Sequence, residues 1–147
     1  MSGIIVGVDG SGHSQRALEW AMKEAAVRHA PLTVVAVHGA IKSAYGTGPV
    51  TFADDPARTE ETRKAAQAEA DKVLADLTGP HPESVTVTAV HGFPVDVLIN
   101  ASKGADMLVL GSRGAGGFAR LMLGSVADQV VQHALCPVLI VPPESRA

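Results

Sequence analysis

The chain has 147 residues, enough for one domain that buries about two thirds of its unfolded surface without a disulfide or metal staple. Its net charge is −3, with no basic block to neutralise a nucleic-acid backbone, and its one cysteine, Cys136, excludes an intrachain disulfide. Trp20, Tyr45, Phe52, Phe93 and Phe118 are the only aromatics, so the core is aliphatic and a flat cofactor that needs stacking finds few partners.

Five short apolar runs alternate with stretches of helical period. The first run is GIIVGV (3–8). After it, Ser14 is placed to cap a helix whose inward stripe is Leu18, Met22 and Ala25/Ala26, and Pro31 stops it. The second run is LTVVAV (32–37). Residues 40–55 show no period and contain two glycines and a proline, which predicts a loop near the rim of the fold. Asp55-Pro56 then reads as an N-cap with proline at the first helical position. Ala66, Ala70, Val73/Leu74 and Leu77 face inward on that helix, and Gly79-Pro80 ends it. VTVTAV (85–90) alternates and suits a strand near a sheet edge. A short helix runs from Pro94 to Gly104, and DMLVL (106–110) follows. Ser125 to Asp128 resembles a capping box for a last helix, with Val126, Val130/Val131 and Ala134 inward. PVLIV (137–141) closes the pattern.

The order βαβαβαβαβ predicts an α/β fold: a three-layer, Rossmann-like α/β/α sandwich around a five-stranded parallel sheet. The expected strand order is 3-2-1-4-5, and a single domain spans 1–147. Ligands of such sheets bind at the carboxyl ends of the strands, beside the point where the strand order reverses. That point lies between the first and fourth strands. Two loops meet there, DGSGHS and GSRGAGGFARLMLGS (111–125).

The second loop carries five glycines in fifteen residues. Glycine contributes no packing and costs backbone entropy, so its density asks for a reason. Exposed main-chain amides and a helix N-terminus hold phosphate oxygens well. Gly111 ends the fourth strand; Gly114, Gly116 and Gly117 can present amides; Gly124 and Ser125 open the last helix. Close packing alone is the other reading of these glycines. Asp9, at the tip of the first strand, is placed either to accept from a ribose hydroxyl or amine or to cap the following turn. Arg113 is placed either to offset phosphate charge or to stand solvated.

The spacing G-x2-G-x9-G-[ST], met by Gly111, Gly114, Gly124 and Ser125, resembles the nucleotide loop of the universal stress proteins. IIVGVDGS, ADMLVLGSRG, LMLGSVADQV and CPVLIVPP are similar to the same family over nearly the whole chain. The resemblance implies a stress-response or regulatory protein that binds an adenine nucleotide, most often ATP, with or without Mg2+. It implies that Asp9 lies by the adenine and ribose over a floor of Gly7 and Val8. The backbone near His38 and Gly39 would flank the base, and Gly111 the ribose. Ser112, Arg113, Gly114, Gly116, Gly117, Gly124, Ser125 and Val126 would surround the phosphates. Relatives commonly carry a branched apolar residue where Gly39 stands, which implies a looser adenine wall here. The family also implies a homodimer paired through the last strand.

Other chemistry finds less support. The six histidines show no ligand spacing, and Cys136 reads as a small apolar residue. A dinucleotide fingerprint fails at Gln15, and no Walker lysine motif is present. One Asp, one Ser and one Arg near the phosphates, with no evident base, suit binding with at most slow hydrolysis rather than a dedicated kinase or ATPase. A phospho-receiver lacks its acceptor Asp and its Lys, where the chain reads AVHGF and IVPPE. A cyclic-AMP-binding protein of the same fold and, less well supported, a flavodoxin-like electron carrier remain alternatives. The opening MSGIIVGVDGS has no basic n-region, and no run approaches a membrane span, so a cytoplasmic protein without a membrane or nucleic-acid partner is expected.

Overall fold

A computed structural model describes residues 3–42, 49–51, 54–112 and 123–143. The elements in chain order are β1 (Ile4–Val8), α1 (Gly12–Arg28), β2 (Pro31–Lys42), β3 (Pro49–Thr51), α2 (Pro56–Asp76), β4 (Ser84–Gly92), α3 (Pro94–Ser102), β5 (Met107–Gly111), α4 (Ser125–His133) and β6 (Val138–Val141). The parallel strands β4-β2-β1-β5-β6 reproduce the expected order 3-2-1-4-5. β4, read as near an edge, pairs in parallel with β2.

β1, the first half of β2 and β5 are apolar on both sides because helices cover both faces of the sheet there. Ile4, Val6 and Val8 pack with Leu32, Val34 and Ala36 against α1 and α2. Ile5, Val35, Leu108 and Leu110 face the other way, against Leu98 of α3 and Val130 of α4. On α1, Leu18, Met22 and Ala25 are fully buried, joined by Ala17 and Ala21. Burial of a Leu or Met side chain contributes about 1.5–3 kcal/mol, so this one helix face anchors the domain's first half.

Three local expectations change. α1 starts earlier than expected, at Gly12, and its cap is Ser11, whose hydroxyl accepts from the Ser14 amide at 3.2 Å. Ser14 is instead a buried residue whose hydroxyl accepts from Asp9 N–H and donates to the Ser11 carbonyl. The expected capping box at α4 does not form: the N-cap is Gly124, without a side-chain cap, and Ser125 is the first helical residue. Finally, the stretch read as a loop contains strand. β2 runs on to Lys42, and β3 returns antiparallel to it, pairing Ala40 with Thr51 and Lys42 with Pro49. The low hydrophobic periodicity of residues 40–55 hid this hairpin.

At α2 the expectation holds. Asp55 caps with a 3.0 Å bond from Ala57 N–H, Pro56 opens the helix, and Ala66, Ala70 and Val73 are buried.

Candidate nucleotide site

β1 and β5 are neighbours, and the chain leaves them in opposite directions: to β2 on one side and to β6 on the other. The reversal opens a crevice at their carboxyl ends. Val6 pairs with Val109, and continuing that register brings Gly111 beside Val8 and Ser112 beside Asp9. The Ser112 amide is held by the Val141 carbonyl of β6 at 2.9 Å, and the Ser112 carbonyl accepts from Gly124 N–H at 2.7 Å. The second bond ties the start of α4 to the tip of β5. The fifteen-residue glycine-rich segment is therefore closed at its base, with its two ends one hydrogen bond apart.

The helix ends facing this crevice differ. The first turn of α1 is capped by Ser11, and the Asp9 carboxylate accepts from Ser11 N–H at 2.9 Å. Its donors are thus partly spent on the chain itself. The first turn of α4 has no side-chain cap among the described residues, and Gly124 accepts from Asp128 N–H through its carbonyl. Uncapped first-turn amides and the helix dipole favour an anion at α4. The flavodoxin-like reading needs its phosphate at the α1 loop, where the donors are least available.

The sequence-derived residues now have places. Asp9 is exposed at the β1 tip; Gly111 and Ser112 end β5; Gly124 and Ser125 open α4. These converge. Val8 is buried in the core below them. Gly7 is buried as well, and a Cβ there would meet Leu110 Cδ2 at 2.9 Å and Leu98 Cδ2 at 3.0 Å, so its missing side chain makes room for the sheet to pack against α3. Val126 is half-buried against the cluster of Leu98 and Val130, which makes it a packing residue of α4. Arg113, Gly114, Gly116 and Gly117 lie outside the described residues.

Gly39, the expected place of a loosened wall, lies on β2. Its φ is +97°, a conformation that favours glycine, at the point where β2 leaves its pairing with β4 and enters the hairpin. A Cβ built there would fall on Cδ2 and Nε2 of the His91 imidazole. The space is filled by a ring from the neighbouring strand.

That ring belongs to a feature the sequence shows twice. Ala-Val-His-Gly occurs at 36–39 on β2 and at 89–92 on β4, and the copies pair residue for residue. His38 and His91 therefore stand side by side, their rings edge-to-face with centroids 5.5 Å apart and an interplanar angle of 75°. His38 Nε2 lies 2.9 Å from the Thr59 hydroxyl on α2. Its buried Nδ1 has no partner among the described residues. A search for metal-ligand spacing along the chain missed this pair; the repeated tetrapeptide was the available signal.

Glu69 was also missed. It lies on the inward side of α2 between Ala66 and Ala70, and its buried Oε2 is unpartnered among the described residues. Burial, and secondarily the Asp9 carboxylate, raises its pKa above the ordinary value. Asp9 therefore has a second carboxyl group within electrostatic reach.

The family model "Universal stress protein family" matches residues 1–142, and the chain belongs to that family. A universal stress protein of Mycolicibacterium smegmatis is 35% identical over 146 residues, covering 99% of this chain and 49% of its own length. The chain spans about half the length of this and other mycobacterial relatives that it matches. Among solved structures, a universal stress protein in complex with cAMP is 27% identical with a TM-score of 0.67, covering 97% of both chains. The universal stress protein from Archaeoglobus fulgidus in complex with dAMP is 25% identical with a TM-score of 0.59, covering 94% of this chain and 95% of its own. No helix among the described residues is long and apolar enough to cross a membrane.

Proposed function

We propose that this domain binds an adenine nucleotide, ATP, as a stress-response or regulatory protein of the cytoplasm. The observation that carries the reading is the N-terminus of α4, without a side-chain cap among the described residues, held at the β5 tip by the Gly124–Ser112 bond and facing the crevice beside Asp9. Such a terminus stabilises the anionic tail, while Asp9 is placed to accept from a ribose hydroxyl or an amine. The loop residues Arg113, Gly114, Gly116 and Gly117 complete the phosphate cradle in this proposal, and Mg2+ accompanies the triphosphate. The activity proposed is binding, with at most slow hydrolysis. Structural neighbours in complex with cAMP and dAMP support an adenine nucleotide. The former favours cyclic AMP as a second reading.

β6 is an apolar strand whose pairing among the described residues is with β5 alone. Its other edge is proposed to pair with a second copy in a two-fold dimer. Native mass spectrometry of the purified protein reads both proposals at once. A dimer carrying an adenine nucleotide is expected; a monomer argues against the interface. Calorimetry on Gly114→Ala/Gly124→Ala should show ATP affinity lost with the fold intact, and unchanged affinity would remove the loop from the site.

A further inference from the structure

We propose that the His91 imidazole, set edge-to-face against His38, is the base-facing wall at the tip of β2 and gives the site a preference for a purine. The inference rests on the nucleotide reading above and adds to it a specificity residue supplied by a different strand.

Three observations carry it. First, position 39 cannot carry a wall of its own: φ is +97°, and a Cβ would coincide with the His91 ring. The volume beside the Gly39 backbone is imidazole. Second, the ring packs against a tethered neighbour. His38 and His91 are register partners, and His38 is tied through Nε2 to Thr59 of α2. The Thr59 hydroxyl is also 3.3 Å from the Asp55 carbonyl, which accepts its only proton. The Thr59 hydroxyl thus bridges His38 Nε2 and the α2 N-terminus, which tethers the His38 ring against which His91 packs. A wall packed in this way loses little freedom when a base meets it. Third, the arrangement is not one that stability alone would select. His38 Nδ1 is buried without a partner among the described residues, and an unpaired buried polar atom is disfavoured.

The location suits a base. Val8 of β1 pairs with Ala36, so His38 and Gly39 stand two and three residues beyond it along β2, roughly 7–10 Å above the β1 tip. Both histidines are half-buried, leaving part of their surface at the rim. An anionic tail at α4 and a sugar near Asp9 leave the base directed toward this side of the crevice. A planar ring there offers a π-face or edge to a planar base, and a two-ring purine covers more of it than a pyrimidine.

The test compares ATP, UTP and inorganic tripolyphosphate by calorimetry on the wild-type chain, His91→Ala and His91→Phe. His91→Ala should weaken ATP binding about tenfold, within the range typical of lost base stacking. It should also narrow the ATP-over-UTP preference and leave tripolyphosphate binding unchanged. His91→Phe, which keeps a flat ring, should stay within about threefold of wild type for ATP, so a folding defect in the alanine variant does not decide the matter. Wild-type ATP affinity in His91→Ala, or equal losses for ATP and tripolyphosphate, overturns the assignment of His91 while leaving the phosphate site standing. A wild-type chain that binds no adenine nucleotide overturns both.

Discussion

Replacing Gly39 with valine puts back the branched apolar side chain common in relatives, and the structure predicts that it damages this chain. Two costs are separable. The backbone at φ +97° disfavours any L side chain, a β-branched one most of all, at about 1–2 kcal/mol. The new Cβ also falls on the His91 ring, whose Cγ would lie 3.0 Å away. Forcing that ring aside is an overpacking cost of about 1–3 kcal/mol. Reduced freedom of the unfolded chain returns about 0.5–1 kcal/mol. The net loss is about 2–4 kcal/mol, which for a domain of this size lowers Tm by roughly 5–15 °C. Denaturant titration of Gly39→Val, His91→Ala and the double variant measures the parts. The overlap disappears once the ring is gone, so the double variant should be more stable than the sum of the singles, with a coupling of about 1–3 kcal/mol. A Gly39→Val chain within about 0.5 kcal/mol of wild type would refute the argument, as would a double variant that is simply additive.

Two further outcomes follow from the same structure. Glu69 has a raised pKa in the fold, so the unfolded chain gives up this proton at lower pH than the folded one does. Its contribution is favourable at low pH and is lost as pH rises from the ordinary carboxylate value through the raised one. Glu69→Gln should therefore raise Tm at pH 7, and the gain should shrink toward pH 4; an equal or growing gain at low pH would contradict the sign. At Gly7, alanine touches only the tips of Leu110 and Leu98, whereas valine adds branches the packed sheet cannot take. Gly7→Val should cost about 1–3 kcal/mol in denaturant titration while Gly7→Ala stays near neutral and keeps nucleotide affinity. A selective loss of affinity in Gly7→Ala would instead make Gly7 part of the site.

Much of this architecture was legible before any coordinates. Unbroken apolar runs such as LTVVAV mark strands covered on both faces, and Asp55-Pro56 marks a helix start because proline gives up an amide that has no partner there anyway. The two ends of the glycine-rich segment, Ser112 and Gly124, meet at the switch point beside β1 and β5. Caps were read less well. Ser11, Ser14 and Ser125 are chemically alike, and which of them caps depends on where the chain turns out of the sheet. The β2–β3 hairpin carries no alternating apolar pattern, so residues 40–55 read as a loop.

Local sequence determined most of the strands and helices, their order and the place of the glycine-rich segment, because hydrophobic period and glycine placement act within a few residues of chain. Tertiary structure alone decided what stands beside what. His91 fills the space at Gly39 because β4 pairs with β2 in one register, across more than fifty residues of intervening chain. Glu69 feels Asp9 because α2 packs on the same face of the sheet as α1. Gly7 serves α3 because its open face lies toward Leu98. Such contacts are set by sheet pairing and layer packing, which join residues distant in sequence and leave no periodic trace along the chain.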